Sequence, residues 1–112
     1  MTGKTVICIS WQPNLAITRQ ALLTNLGLRV ISALGEREAR DSCREVAHLM
    51  ILGHSVPLEE RRKLINCFRE YNSAPVLMLL LSGEAKLPEA THGIESADAE
   101  DVVRALQEIL QN

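Results

Sequence analysis

The chain has 112 residues, a length at which one compact unit with a real core is expected, burying roughly 65% of the surface its unfolded form exposes. Hydrophobic residues make up 46% and charged residues 23%, which excludes intrinsic disorder. Twelve basic against fourteen acidic residues give a net charge of −2 without any basic stripe, so nucleic acid and anionic membrane surfaces are not expected partners.

The longest apolar run, Ala74 to Leu81, is far too short to span a bilayer. Met1-Thr2-Gly3-Lys4 leads directly into a strand-like segment, without the basic start and apolar core of a secretory signal. Cys8, Cys43 and Cys67 are an odd number of thiols with no metal-ligand spacing, so a reducing, cytoplasmic setting is expected.

In chain order, Thr5 to Ile9 is a short β-rich run. Pro13 to Leu28 has helical spacing through Ile17, Ala21, Leu22 and Leu26, with Pro13 suited to a first turn and Gly27 to the end. Arg29 to Ala33 is a second strand, and Glu36 to Ala47 a helix with Ala39, Cys43, Val46 and Ala47 inward. Leu49 to Leu52 is a third strand closed by Gly53. Pro57 to Tyr71 is a helix with Leu64, Ile65, Phe68 and Tyr71 on its inner face and a Glu59–Lys63 pair outside. Pro75 to Leu81 is a fourth strand, Ser82 to His92 a loop with at most a short helix, and Gly93-Ile94 a weak fifth strand. Asp98 to Gln111 is a last helix, with Asp98 as N-cap and Val102, Val103, Leu106, Ile109 and Leu110 inward.

Strands that alternate with helices, and that read as solid apolar runs, imply a parallel sheet covered on both faces. The expected fold is α/β: a three-layer (βα)5 sandwich with a five-stranded parallel sheet, formed by residues 1–112 as one domain. Ligand chemistry in such folds lies at the carboxyl ends of the strands, here Ser10-Trp11-Gln12, Gly53-His54-Ser55, Leu80-Leu81-Ser82 and Ile94-Glu95.

Three stretches carry a family resemblance: Val6 to Pro13, His48 to Pro57 and Ala74 to Leu79. With the tail Asp98 to Leu106, they resemble the receiver domain of bacterial response regulators over essentially the whole chain. The resemblance implies the flavodoxin-like receiver topology and a place in two-component signal transduction. In that family the first strand ends in an acidic pair, the third in a phosphoacceptor aspartate with a proline four residues on, and the fourth in Thr or Ser; a lysine follows the fifth. Pro57 keeps the register after Gly53, but the functional residues themselves are replaced. The acidic pair falls on Ser10 and Trp11, the phosphoacceptor on Gly53, the hydroxyl on Leu80 and the lysine near Glu95. The losses hold in any register. No Asp or Glu precedes Glu36, the aspartates are Asp41, Asp98 and Asp101, and no lysine follows Lys86. Mg²⁺ needs oxygen ligands and phosphotransfer needs a nucleophile; neither is supplied, so no metal, no cofactor and no enzymatic activity are expected.

The interval from Leu80 to Glu95 is about two helical turns shorter than the family's, so the helix between the last two strands is expected to be shortened or missing. That deletion leaves Leu79 and Leu81 to be covered by Leu87-Pro88 or by a partner, and the partner is the expectation. The leading reading is a pseudo-receiver: a phosphorylation-independent protein-interaction or oligomerisation module, with no output segment read after Leu110 and a longer parent regulator left open. The alternatives are a small-ligand sensor lined by Trp11, Gly53, His54, Ser55 and Glu95, and a phosphorelay regulator modified at His54 or Ser55.

Other features read more plainly. Gly53-His54-Ser55-Val56-Pro57 mimics a nucleophile elbow but ends in proline, so Ser55 is expected to cap the following helix and His54 to be a solvated loop residue. Trp11 is expected to fill the space of the lost carboxylates, packed over the first helix. Arg61-Arg62-Lys63 is expected to be a solvated helix face.

Overall fold

A computed structural model describes residues 2–95 and 98–111. The elements are β1 (Thr5–Ser10), α1 (Pro13–Asn25), β2 (Arg29–Leu34), α2 (Gly35–Ser42), β3 (Leu49–Leu52), α3 (Leu58–Tyr71), β4 (Val76–Leu79), β5 (His92–Ile94) and α4 (Ala99–Leu110). The strands form one parallel sheet in the order β2-β1-β3-β4-β5. Among the described residues no helix is long and apolar enough to cross a membrane.

Period-two alternation sends the strand side chains to two apolar layers. Ile7, Ile9, Met50, Leu52, Val76 and Met78 meet Ala39 and Cys43 at α2 and Leu64, Ile65 and Phe68 of α3. Val6, Cys8, Leu49, Ile51, Leu77 and Leu79 meet Leu23 of α1 and Val102, Leu106 and Leu110 of α4. Both faces of β1, β3 and β4 are therefore dry, which explains why their sequences lack polar alternation. The order changes direction between β1 and β3, so the carboxyl ends of those two strands flank the crevice where such folds place their ligands.

Several boundaries and faces differ from the sequence reading. Helix α1 buries Ala16, Arg19 and Leu23, while Ile17 is 67% exposed and Ala21 faces solvent. The apolar spacing read from the sequence is one phase off, because an arginine occupies an inward position. Gly27, at φ 85°, ends the helix by letting the Leu28 amide return to the Leu23 carbonyl.

Helix α2 stops at Ser42 rather than Ala47. The Ser42 hydroxyl donates to the Ala39 carbonyl, and Asn72 holds the chain beyond by accepting from the Ala47 amide and donating to the Glu45 carbonyl. Val46 is consequently 82% exposed. In α3, Tyr71 lies half outside the core and Lys63 pairs with Glu60 at 3.7 Å rather than with Glu59. In α4, Ala105 joins the buried face while Val103 and Ile109 are only half-buried. Asp98 occupies the expected N-cap position.

Between β4 and β5 the chain forms turns but no helix, as the short interval implies. Strand β4 ends two residues early because the Leu81 amide turns to the Glu84 carboxylate. Of the two residues expected to need cover, Leu79 is fully buried in the layer shared with α1 and α4, and Leu87 and Ala90 pack with Met78 and Leu80 on the other face, so a partner is not needed to bury Leu79. Lys86 fastens that segment by donating to the carbonyls of Leu87 and Ala90. Leu81 is 54% exposed, and Ala85 and Pro88 also face solvent.

Candidate functional site

The crevice is built from the turn after β1, the turn after β3 and the middle of α1. Ser10 is fully buried at the end of β1. Its hydroxyl accepts from the Gln12 amide at 3.0 Å and stands 3.1 Å from the Ser55 hydroxyl. Ser55 in turn accepts from the Trp11 amide at 2.9 Å. The two serines thus tie the β1 turn to the β3 turn. Ser55 does not cap α3, whose N-cap is Pro57.

Gly53 continues β3, its amide donating to the Ile9 carbonyl at 3.0 Å. A Cβ at this position would stand 2.5 Å from Nη1 of Arg19 and 3.0 Å from the Ile9 oxygen. The guanidinium of Arg19, reaching down from α1, therefore rests directly on the end of β3. Arg19 is 6% exposed. Neither Nη1 nor Nη2 reaches a hydrogen-bond partner among the described residues, and no ion pair among them includes it. Burial lowers its pKa, with the neighbouring Cys8 opposing, but an arginine remains a cation at neutral pH. Burial pushes the Cys8 thiol up to about 11 against the pull of Arg19.

A second arginine braces the same turn. Arg61, 2% exposed on α3, donates from Nε to the Val56 carbonyl at 2.7 Å and from Nη2 to the His54 carbonyl at 2.8 Å. Its Nη1 faces Glu84 Oε1 at 3.0 Å, close enough for an ion pair though misaligned for a hydrogen bond. Arg61 is thus a buried structural cation, not part of a solvated face. His54, half-buried between the two arginines, has its pKa lowered by burial first and then by Arg19 and Arg61, with Glu84 opposing.

The residues expected here divide in two. Ser10, Trp11, Gly53, His54 and Ser55 converge. Leu80 and Glu95 do not join them: Leu80 is buried in the α3-side layer, and exposed Glu95 lines a shallow groove with Asp101, Arg104 and Glu108 beside α4. Trp11 packs against the α2–α3 layer rather than over α1. The side chain that lies against the end of β3 is Arg19, which the sequence reading passes over because a lone arginine in a helix gives no pattern. The one available signal was Gly53 itself, whose missing side chain makes room for a close neighbour.

The residues present do not fit Mg²⁺. A hard cation needs anionic oxygen ligands, whereas here two hydroxyls bond to each other and a guanidinium lies against the strand end.

No protein-family model and no curated protein matches the chain. Solved structures do. A CheY-like receiver domain protein from Methanospirillum hungatei superposes with a TM-score of 0.79 at 17% identity, covering 96% of this chain and 94% of the other. The N-terminal domain of a response regulator/sensory box/GGDEF protein from Carboxydothermus hydrogenoformans gives 0.78 at 15% identity over 96% and 94%. The receiver domain of a Pseudomonas aeruginosa sensor histidine kinase, with magnesium in its active-site cleft, gives 0.77 at 16% identity over 99% and 100%. The sheet order, the two-layer packing and these superpositions together establish that the chain has the receiver fold of two-component response regulators.

Proposed function

We propose that residues 1–112 form a single pseudo-receiver domain of bacterial two-component signalling that works in the cytoplasm without phosphotransfer. The observation that carries this reading is the Arg19 guanidinium lying on Gly53, where the resemblance places the nucleophile. A fixed internal cation there removes both the room and the charge that a metal-assisted phosphoryl transfer needs. With the switch chemistry replaced, the output is the shape of the scaffold, presented to a protein partner or to a second copy of the chain. The domain is non-enzymatic in this account.

The competing small-ligand sensor needs a hollow at the strand ends, and the guanidinium occupies that space. A regulator modified at Ser55 is disfavoured by the hydroxyl's engagement with Ser10 and Trp11.

The test is the association state of the chain, by sedimentation velocity over a concentration series, with and without acetyl phosphate and Mg²⁺. The proposal expects superimposable distributions. A change in mass that requires acetyl phosphate would overturn it.

A further inference from the structure

We propose that Cys43 and Cys67 form a redox modification site, which closes to an intramolecular disulfide when the chain meets a small disulfide of the oxidised-glutathione class and reopens when reduced thiol returns.

The sheet sorts the three free thiols. Cys8 points into the layer shared with α1 and α4. Cys43 lies in the opposite layer, and Cys67 packs against that same layer. The sheet therefore stands between Cys8 and the other two, and one intramolecular pairing is left. Helices α2 and α3 pack against each other, and the two thiols lie at that contact. Cys43 Sγ donates to the Leu64 carbonyl at 3.5 Å, and Leu64 is the neighbour of Cys67 one turn earlier on α3. The thiols also sense each other, since Cys67 adds to burial in lifting the Cys43 pKa. Cys43 follows Ser42, the last residue of α2. Drawing its sulfur onto that of Cys67 is thus taken up in the turn at 43–45 rather than inside a helix.

Exposure divides the roles. Cys43 is fully buried, whereas Cys67 reaches solvent in part, so a dissolved oxidant meets Cys67 first. The Cys67 thiolate attacks one sulfur of the small disulfide, whose S–S bond breaks and releases one thiol carrying the Cys67 proton. Cys43 then loses its proton, attacks Cys67 Sγ and displaces the second small thiol, which takes that proton. Two protein thiols are oxidised by two electrons, and one small disulfide is reduced to two thiols. In a reducing setting such a bond is transient, so the pair reports oxidant rather than stapling the fold permanently. The thiolate is the attacking species, and burial keeps Cys43 protonated near neutrality, so the second step is the slow one.

The experiment treats the folded full chain with oxidised glutathione, without denaturant, and follows the intact mass after acid quenching. The expected course is a glutathione adduct on Cys67 that rises and then gives way to a monomer lighter by two hydrogens. Its peptide map should join residues 43 and 67, and dithiothreitol should reverse it. The second step should quicken by about tenfold per pH unit near neutrality, as the Cys43 thiolate fraction grows by that factor. Cys43→Ala should hold the adduct at Cys67, and Cys67→Ser should prevent both products. An adduct that persists on the wild-type chain, a disulfide-linked dimer, a bond through Cys8, or a 43–67 bond that forms only in urea would overturn the site. If Cys43→Ala does not fold, the wild-type time course and peptide map decide alone.

Discussion

Nη1 of Arg19 and the α-carbon of Gly53 are in such close contact that a Cβ at position 53 would stand 2.5 Å from the nitrogen. The two residues act as one feature, since a long cation is accommodated only because its neighbour has no side chain. Gly53→Ala must push the guanidinium aside and crowd the Ile9 carbonyl at 3.0 Å. We expect a loss of about 1–3 kcal/mol. In an Arg19→Ala background the same substitution should cost measurably less, and a double-mutant cycle by urea unfolding reads the coupling. Additive losses would separate the pair.

His54 should titrate below the usual histidine value of 6.5, because burial and the charges of Arg19 and Arg61 outweigh Glu84. A group whose folded pKa is depressed stabilises the fold above its unfolded pKa, and that stability is lost as pH falls through the folded value. Arg19→Met removes one of the repelling charges and should move the His54 midpoint upward, read by NMR titration of the ring protons. An unchanged midpoint would place Arg19 away from the crevice.

Arg61→Ala should destabilise the fold by about 3 kcal/mol or more, since it strips donors from the Val56 and His54 carbonyls and leaves Glu84 without its cation. Burial raises the Glu84 pKa, but the Arg61 bond, the Leu81 amide and nearby positive charge together hold it below 4.5. Its contribution is thus present above pH 4.5 and lost as pH falls through the lower folded value. Glu84→Gln should flatten that acid limb in a pH series of unfolding midpoints. A limb of unchanged steepness would count against the pair.

At the alkaline end, burial lifts Cys8 to about 11 and, with Cys67 adding to the effect, Cys43 to about 12. Thiols with raised folded pKa values stabilise the fold fully below the ordinary thiol value of 9.0, and this is lost as pH rises toward 11–12. Denaturant unfolding at pH 8, 9.5 and 11 should therefore show stability falling by a few kcal/mol, with a shallower fall in Cys8→Ala. A flat profile would mean that these thiols ionise freely.

The parts of the fold legible in the sequence are those fixed by one dominant force. Leu49–Leu52 could be read to the residue because helices cover both its faces, and the shortened or missing helix after β4 because the interval from Leu80 to Glu95 falls about two turns short of the one the family resemblance implies. The phase of α1 was not legible, since Arg19 is buried by a contact with Gly53 that lies 34 residues away in sequence. Arg61 was hidden for the same reason: an Arg-Arg-Lys run reads as surface until the loop carbonyls of His54 and Val56 are placed beside it. Leu80 and Glu95 followed from position in the family pattern, whereas Leu80 is packed into the α3-side layer and Glu95 lies exposed beside α4.

The most direct measurement is the intact mass of the chain after incubation with acetyl phosphate and Mg²⁺ at neutral pH, taken under denaturing conditions. With a guanidinium at the strand ends and no carboxylate nucleophile, the mass should stay that of the unmodified polypeptide. A species heavier by one phosphoryl group would contradict the account.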